Sequence, residues 1–441
     1  MDLGAKTVDL GATVEGALWE LGEWVLGDPV GFCKHPQGSF VVRGLLRALG
    51  GVPKTPAGLS PCPPEGAEPG TQGAEPATQG AELPPSFRLL LQRLAEAFET
   101  HLLELVEPAS ASLCLQEALR VLHRSQSEAC ARLCDALIGR LAPGRPGDPD
   151  SSLAAALEDP RRARLLEAAM TVGGAGRLRR LFRAGLRGRL LALAAHPLAN
   201  HGLRRLLDHA PRDVVGEVLA ELGPALARGH PGVTVALAGA CRRHPPLQQE
   251  ALHYLLQAFG SGEPPNQVLR VELLAKLRPP GGGAEEEGAE TPVTLQGSLL
   301  LQHLLHFRGA EPVLLGGFRA LPRPVMAAMA LAPPGARLWH ALMTSPSVPP
   351  PARRRLARKL QGRLSSLSCH RSGSRVVDAV WAAATGPGRA AMARELAAQL
   401  PALSSDPYGR FVARKLELDL FLRRPRLWER RHVAPETKSP R

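Results

Sequence analysis

The feature that most constrains this chain is a nine-residue frame that keeps returning. It opens on a small residue, continues through one or two polar positions, and then sets an apolar pair over one turn of helix. It reads GSFVVRGLL from Gly38, ASLCLQEAL from Ala111, ANHGLRRLL from Ala199 and GVTVALAGA from Gly232. It continues as GSLLLQHLL from Gly297, GARLWHALM from Gly335, GSRVVDAVW from Gly373 and GRFVARKLE from Gly409, with a weaker copy, RARLLEAAM, from Arg162. Successive starts are 73, 51, 37, 33, 65, 38, 38 and 36 residues apart. The short intervals cluster near 36, and the three long ones include or adjoin loop-rich stretches. Single amphipathic helices arise easily, but a common spacing with a common punctuating residue marks a repeat architecture. A unit of this length cannot enclose a core alone and is stabilised by stacking on its neighbours. The frame therefore predicts an all-α fold, an α-solenoid.

Composition agrees. Leu, Ala and Arg dominate, aromatic residues are 4% of the chain, and β-branched runs of period two are absent. Residues 51–85, with their slipped Gly-Ala-Glu-Pro repeat, read as a disordered insertion, and residues 278–292 as an acidic flexible one. The expected organisation is an N-terminal helix and first repeat over 1–50, helical repeats over 86–277 and 293–422, and a basic tail over 423–441. The chain carries 54 Lys and Arg against 41 Asp and Glu, a formal +13, which favours an anionic partner. Nucleic acid comes first, with an acidic protein or a membrane surface behind it. Seven scattered cysteines without a CxxC pair fit a reducing compartment, and Cys130 and Cys134 read as core. The N-terminus lacks a secretory pattern and no stretch reaches 18 apolar residues, so a soluble intracellular protein without a membrane partner is expected.

The helix around Ser374 shows what the frame carries. Ser374, Arg375 and Asp378 fall in one quadrant, while Val376, Val377, Val380 and Trp381 fill the opposing sector. Alone, that is an ordinary amphipathic helix. Recurring at about 36 residues after a small residue, it resembles the Pumilio (PUF) repeat, most closely in HPQGSFVVRGLL (His35–Leu46) and SDPYGRFVARKL (Ser405–Leu416). Stretches such as AHPLANHGLRRLLD and FVARKLELDLFLRRPRLW are similar to a nucleolar branch of that family.

The resemblance implies a C- or U-shaped array in which each repeat meets about one RNA base, with two positions holding the base edge and one stacking on it. Carried onto this chain, the trios are Ser39, Phe40 and Arg43; Arg410, Phe411 and Arg414; Asn200, His201 and Arg204; and Ser374, Arg375 and Asp378. Ser112 with Gln116, and Ser298 with Gln302, are edge pairs whose middle positions are Leu113 and Leu299. Val233, Thr234 and Leu237 could read nothing; Ala336, Arg337 and His340, and Ala163, Arg164 and Glu167, stay ambiguous. The resemblance further implies pre-ribosomal RNA as the ligand during small-subunit (18S) rRNA maturation, pre-ribosomal particle proteins as possible neighbours, and location in the nucleus and nucleolus. It also implies further repeats ahead of Gly38, where only about thirty residues remain before the repeat. On that reading the chain is an isoform, a fragment or an incomplete gene model.

A reader this degenerate leans on phosphate contacts. Arg177, Arg179, Arg180, Arg183 and Arg187 form one run without an acid among them, and Arg353, Arg354, Arg355 and Arg358 another. Both are candidate phosphate contacts. GxSxG, GxxxxGK[ST], HExxH and zinc-type Cys/His spacings are all missing, so neither an enzyme nor a cofactor is expected. His303 and His306 read as helix surface. The competing expectation is a HEAT- or armadillo-like scaffold holding an acidic protein.

Overall fold

The computed structural model describes residues 3–52, 83–125, 127–141, 152–259, 270–277 and 293–433, and among these every regular element is helical. Of the two expected insertions, residues 53–82 and 278–292 lie outside the described residues. After an opening helix, Leu3–Gly27, the described elements fall into nine triplets, and one further helix, Pro425–His432, follows the last. In each, a short first element leads into a helix bearing the frame, and a third helix follows. The frame helices are α1 (Pro36–Leu49), α2 (Ala109–Ser125), α3 (Pro160–Val172), α4 (Ala199–His209), α5 (Pro231–Arg243), α6 (Leu295–Leu304), α7 (Pro333–Thr344), α8 (Gly373–Ala383) and α9 (Gly409–Lys415).

The punctuating small residue has a steric cause. A Cβ on Gly38 would lie 2.5 Å from the carbonyl oxygen of Phe32; on Gly335, 2.0 Å from that of Met329. On Gly373 it would lie 2.5 Å from Leu367, and on Gly409 2.8 Å from Leu403. Each of those carbonyls belongs to the first element of the same triplet, six residues upstream. Any side chain at the glycine would prise the two helices apart. Gly297 meets the carbonyl of Ala275 in the same way, at 1.9 Å, across a much longer connection.

A side-chain cap at the start of seven of the nine frame helices explains the residues just before them. The N–H of Gly38 donates to His35 Nδ1 at 3.2 Å, that of Ala199 to His196 Nδ1 at 3.2 Å, and that of Gly232 to His230 Nδ1 at 3.1 Å. His370 receives Ser372 and Gly373 in the same manner. Elsewhere an oxygen does this work: Asp159 for α3, Thr294 for α6 and Asp406 for α9. Each satisfies donors that the first turn leaves orphaned. A proline in the first turn of α1, α3, α5 and α7 supplies the matching φ without wasting an N–H.

The chain forms two compact units, Met1–Leu222 and Gly223–Arg441. In the first, α1 packs on α2, α2 on α3 and α3 on α4; in the second the same order runs from α5 to α9. Third helices make a separate row. Pro85–Thr100 packs on the opening helix and on Ser127–Leu141 in the first unit, and Gly386–Ala397 packs on Leu418–Arg423 and Pro425–His432 in the second. Phe98 and Phe182 are fully buried in one unit; Phe307, Phe318, Trp339 and Trp428 in the other. Each such side chain contributes about 1.5–3 kcal/mol by leaving water.

Two expectations need correction. Residues from 423 onward are not simply a basic tail. Pro425–His432 is a helix whose Trp428 is fully buried, its indole N–H donating to the Leu416 carbonyl at 2.8 Å and its ring set against Phe421, Trp381 and His432. His303 is not helix surface either. It is buried against Gly239 of α5, where a Cβ on the glycine would lie only 3.2 Å from its ring. Burial pushes its imidazole down to about 3, with Arg242, His306 and Arg243 adding to the shift. His306 is half-buried, whereas Cys130 and Cys134 are core as expected.

Candidate nucleic-acid interface

The interface candidates lie on the frame helices, and the packing of each helix decides which side chains are offered. In α1 the buried positions are Ser39, Val42, Leu45, Leu46 and Leu49, which turns Phe40 outward. Phe40 is 68% exposed and Phe411, at the same frame position in α9, is 57% exposed. Leaving a phenyl ring in water is unfavourable, and each ring is partly covered by an arginine. The Arg43 guanidinium lies 4.4 Å from the Phe40 centroid, and that of Arg410 lies 5.1 Å from Phe411. Leu113, Arg164, His201 and Arg375 hold the same position and are exposed. Thr234 is 2% exposed, and Leu299 and Arg337 are half-buried, so this position is closed or narrowed in α5, α6 and α7.

The first edge position behaves differently from expectation. Ser39, Ser112, Asn200 and Ser298 are all buried. The Ser39 hydroxyl donates to the Pro36 carbonyl at 2.7 Å, and the Asn200 amide donates to the carbonyls of His196 and Pro197. Ser298 donates to the Pro334 carbonyl at 2.6 Å and accepts from Gln302, which is buried with it. Residues in the first turn of a frame helix thus satisfy local backbone groups, or tie α6 to α7, instead of facing solvent. The Asn200 Oδ1 alone among these side-chain atoms is buried without a hydrogen-bond partner.

The second edge position stays more open. Arg43, Gln116 and Arg204 are half-exposed and Arg414 is exposed. Arg43 donates to the Ser39 carbonyl at 3.1 Å, and Gln116 to the Ser112 hydroxyl at 3.2 Å. Glu167, at this position in α3, is pushed up by burial against the opposing pull of Arg164, Arg205 and Arg204. In α8, Ser374 donates to the Arg371 carbonyl at 3.2 Å and Arg375 is exposed. Asp378 is paired, its carboxylate lying 3.0 Å from the Lys415 ammonium of α9. That lysine was not among the residues singled out from the sequence. Neither was Tyr408, 40% exposed three residues before Phe411, although an aromatic next to the punctuating glycine was the available signal.

The two arginine runs occupy third helices, not frame helices. Arg177 lies 2.7 Å from Asp135, Arg179 2.6 Å from Asp213, and Arg183 2.8 Å from Glu217. Arg180 reaches Asp135 at 3.5 Å and Arg187 reaches Glu217 at 3.6 Å. Arg177 in turn holds the Asp135 carboxyl below the usual carboxylate range, and Arg179 does the same to Asp213. The run that contains no acid in sequence is thus laced with acids in space, which weakens the phosphate role expected of it. In the other run, Arg353 donates to the carbonyls of Val348 and Ser345 at 3.0 and 2.6 Å. Arg354, Arg355 and Arg358 are exposed and meet no carboxylate.

Among the described residues no group of three or more His, Cys, Asp or Glu could hold a metal ion, and no helix is long and apolar enough to cross a membrane. Comparison with known proteins fits the repeat geometry. The chain is 39% identical to human Nucleolar protein 9 over 96% of its own length and 70% of the relative's. It is 37% identical to the mouse protein of the same name, over 95% and 69%. In fold it is similar to APUM23 solved with GGAUUUGACGG, at a TM-score of 0.77 and 22% identity, covering 97% of this chain and 80% of that one. The NOP9-like PUF repeat domain matches residues 26–411. Triplets locked glycine-to-carbonyl, stacked frame helix on frame helix and matched across most of their length place this chain in the NOP9-like PUF repeat family.

Proposed function

We propose that this protein binds RNA through the frame helices of each unit, with relaxed base preference, and that its ligand is pre-ribosomal RNA of the small (18S) subunit, bound in the nucleolus. It acts by binding and not by catalysis. The observation that carries this reading is the pair Phe40 and Phe411, two exposed rings at one frame position, each beside an arginine. A ring and a flat guanidinium are the surfaces on which an unpaired base stacks. Relaxed preference follows from the edge positions. Serines and an asparagine are turned inward, and three of the open second edge positions, Arg43, Arg204 and Arg414, hold arginine, which donates but cannot accept. The relatives named Nucleolar protein 9 support the nucleolar location, and APUM23, solved with an oligonucleotide, supports the class of ligand. Membership of the PUF family sets aside the HEAT or armadillo reading of the repeats.

Crosslinking in cells, followed by sequencing of bound RNA, tests the proposal with the wild type and with Phe40→Ala/Phe411→Ala. The wild type should enrich small-subunit precursor RNA. Each ring should account for about 1–3 kcal/mol of affinity in a matched binding assay. Thr234→Ala, at the closed position, should leave affinity unchanged. Equal losses at all three sites, or enrichment of other RNA classes, overturns the reading.

A further inference from the structure

The positive charge of this chain is not spread along it. Residues 350–432 hold 18 Lys and Arg against six Asp and Glu, a net +12, while residues 1–349 hold 34 of each sign and sum to zero. Within this charged stretch four of the six acids are already committed. Asp378 pairs with Lys415, Glu395 accepts from the Leu364 N–H, Asp406 caps α9, and Glu417 holds Arg431 and His432. Several of the arginines thereby left over fall on one row. Arg354, Arg355 and Arg358 lie on Pro350–Ala357 and its end, Arg394 on Gly386–Ala397, and Arg426 and Arg430 on Pro425–His432. The first two are the third helices of consecutive triplets, and Pro425–His432 follows the third helix of the last triplet and packs on Gly386–Ala397. All six residues are exposed, and none meets a carboxylate.

We infer that this row is a second anion-binding face, separate from the frame helices, and that it takes the phosphate backbone of RNA without contact to bases. The inference rests on the RNA-binding reading above and adds a surface to it. The chemistry favours a phosphate polymer over a protein. Guanidinium forks match phosphate oxygens two at a time. A protein partner would need an apolar or aromatic centre to anchor it. Here Trp428 and Leu356 are buried, and no large apolar side chain on these three helices is exposed. Base stacking has no ring to use on this row, so only the backbone is recognised.

The test uses the whole chain and a labelled abasic strand, which has the phosphates of an oligonucleotide and no bases. Arg354→Ala/Arg358→Ala/Arg426→Ala/Arg430→Ala should lower affinity for the abasic strand by about tenfold at 0.1 M salt and flatten its salt dependence. Phe40→Ala/Phe411→Ala should leave abasic binding unchanged while weakening binding of the base-bearing strand. An unchanged melting temperature shows that the fourfold variant is folded. If that variant keeps wild-type affinity for the abasic strand while the protein still binds RNA, the second face falls and the frame-helix reading stands. If poly-glutamate of equal charge displaces the strand as well as RNA does, the face is a dock for acidic proteins and the inference is wrong. If the wild type binds neither strand, the proposed function itself fails.

Discussion

Two arginine runs, indistinguishable on paper, have opposite surroundings. Arg177 to Arg187 and Arg353 to Arg358 are both rich in guanidinium and free of acid in sequence, and both sit on third helices. The first is answered by Asp135 on the preceding third helix and by Asp213 and Glu217 on the following one. The second is met by backbone carbonyls or by solvent. In a stacked repeat the neighbours of a residue are one triplet away on either side, here 34 residues for Arg179–Asp213 and 34 for Arg183–Glu217. Local charge density therefore says little about the field a ligand meets. Density read at the repeat spacing says much more.

The difference can be broken by experiment. The largest effect should come from Arg354→Ala/Arg355→Ala/Arg358→Ala, which should flatten the slope of log affinity against log salt by roughly 2, at about 0.7 per lost phosphate contact on single strands. Arg177→Ala/Arg179→Ala/Arg183→Ala should barely move that slope and should instead lower the melting temperature, because it removes pairs internal to the fold. An equal loss of slope in both variants would mean that the acids beside the first run do not shield it. Asp213→Asn should sharpen the contrast from the other side. Relieving Arg179 and Arg183 of a shared partner should steepen the slope by up to about 0.7 for each arginine that then reaches phosphate.

The smallest effect concerns pH. His303 is held neutral by burial, so the unfolded chain takes up its proton near the ordinary value of about 6.5 and the folded chain only near 3. Its contribution to stability should be complete above about pH 6.5 and lost progressively as pH falls toward 3, at no more than about 1.4 kcal/mol per pH unit. A His303→Leu variant should show a shallower decline across that window in urea titrations. Identical pH profiles would show that the imidazole is solvated in the native state.

What was legible in the sequence was what each helix decides for itself. The frame, its period and the helical fold follow from apolar spacing and from a glycine that must touch a carbonyl, and both leave a mark within a dozen residues. What was hidden depends on a second element. Nothing near Ser298 says that its hydroxyl will find the Pro334 carbonyl, and nothing near His303 says that Gly239 will make room for a ring. Trp428 was obscured differently. It sits among arginines that point outward while it alone turns into the core. Phe40 and Phe411 were readable because exposure at their frame position is set by their own helix. Thr234, at the same position in α5, shows that the rule yields where the surroundings close over it.

The contact between Gly297 and Ala275 has a consequence for how such a chain can change over generations. The Ala275 carbonyl accepts from both the backbone N–H and the hydroxyl of Thr294, at 3.0 Å each, and lies against the Gly297 backbone. The connection between them leaves and returns at one point, so its length does not enter the geometry on either side. Closing a longer loop costs only about 0.6 kcal/mol per doubling. Inserted or deleted residues between 278 and 292 are therefore nearly neutral to the array, whereas a single added methyl group at Gly297 is not. Relatives should differ freely in how many residues they place there while keeping the glycine that follows.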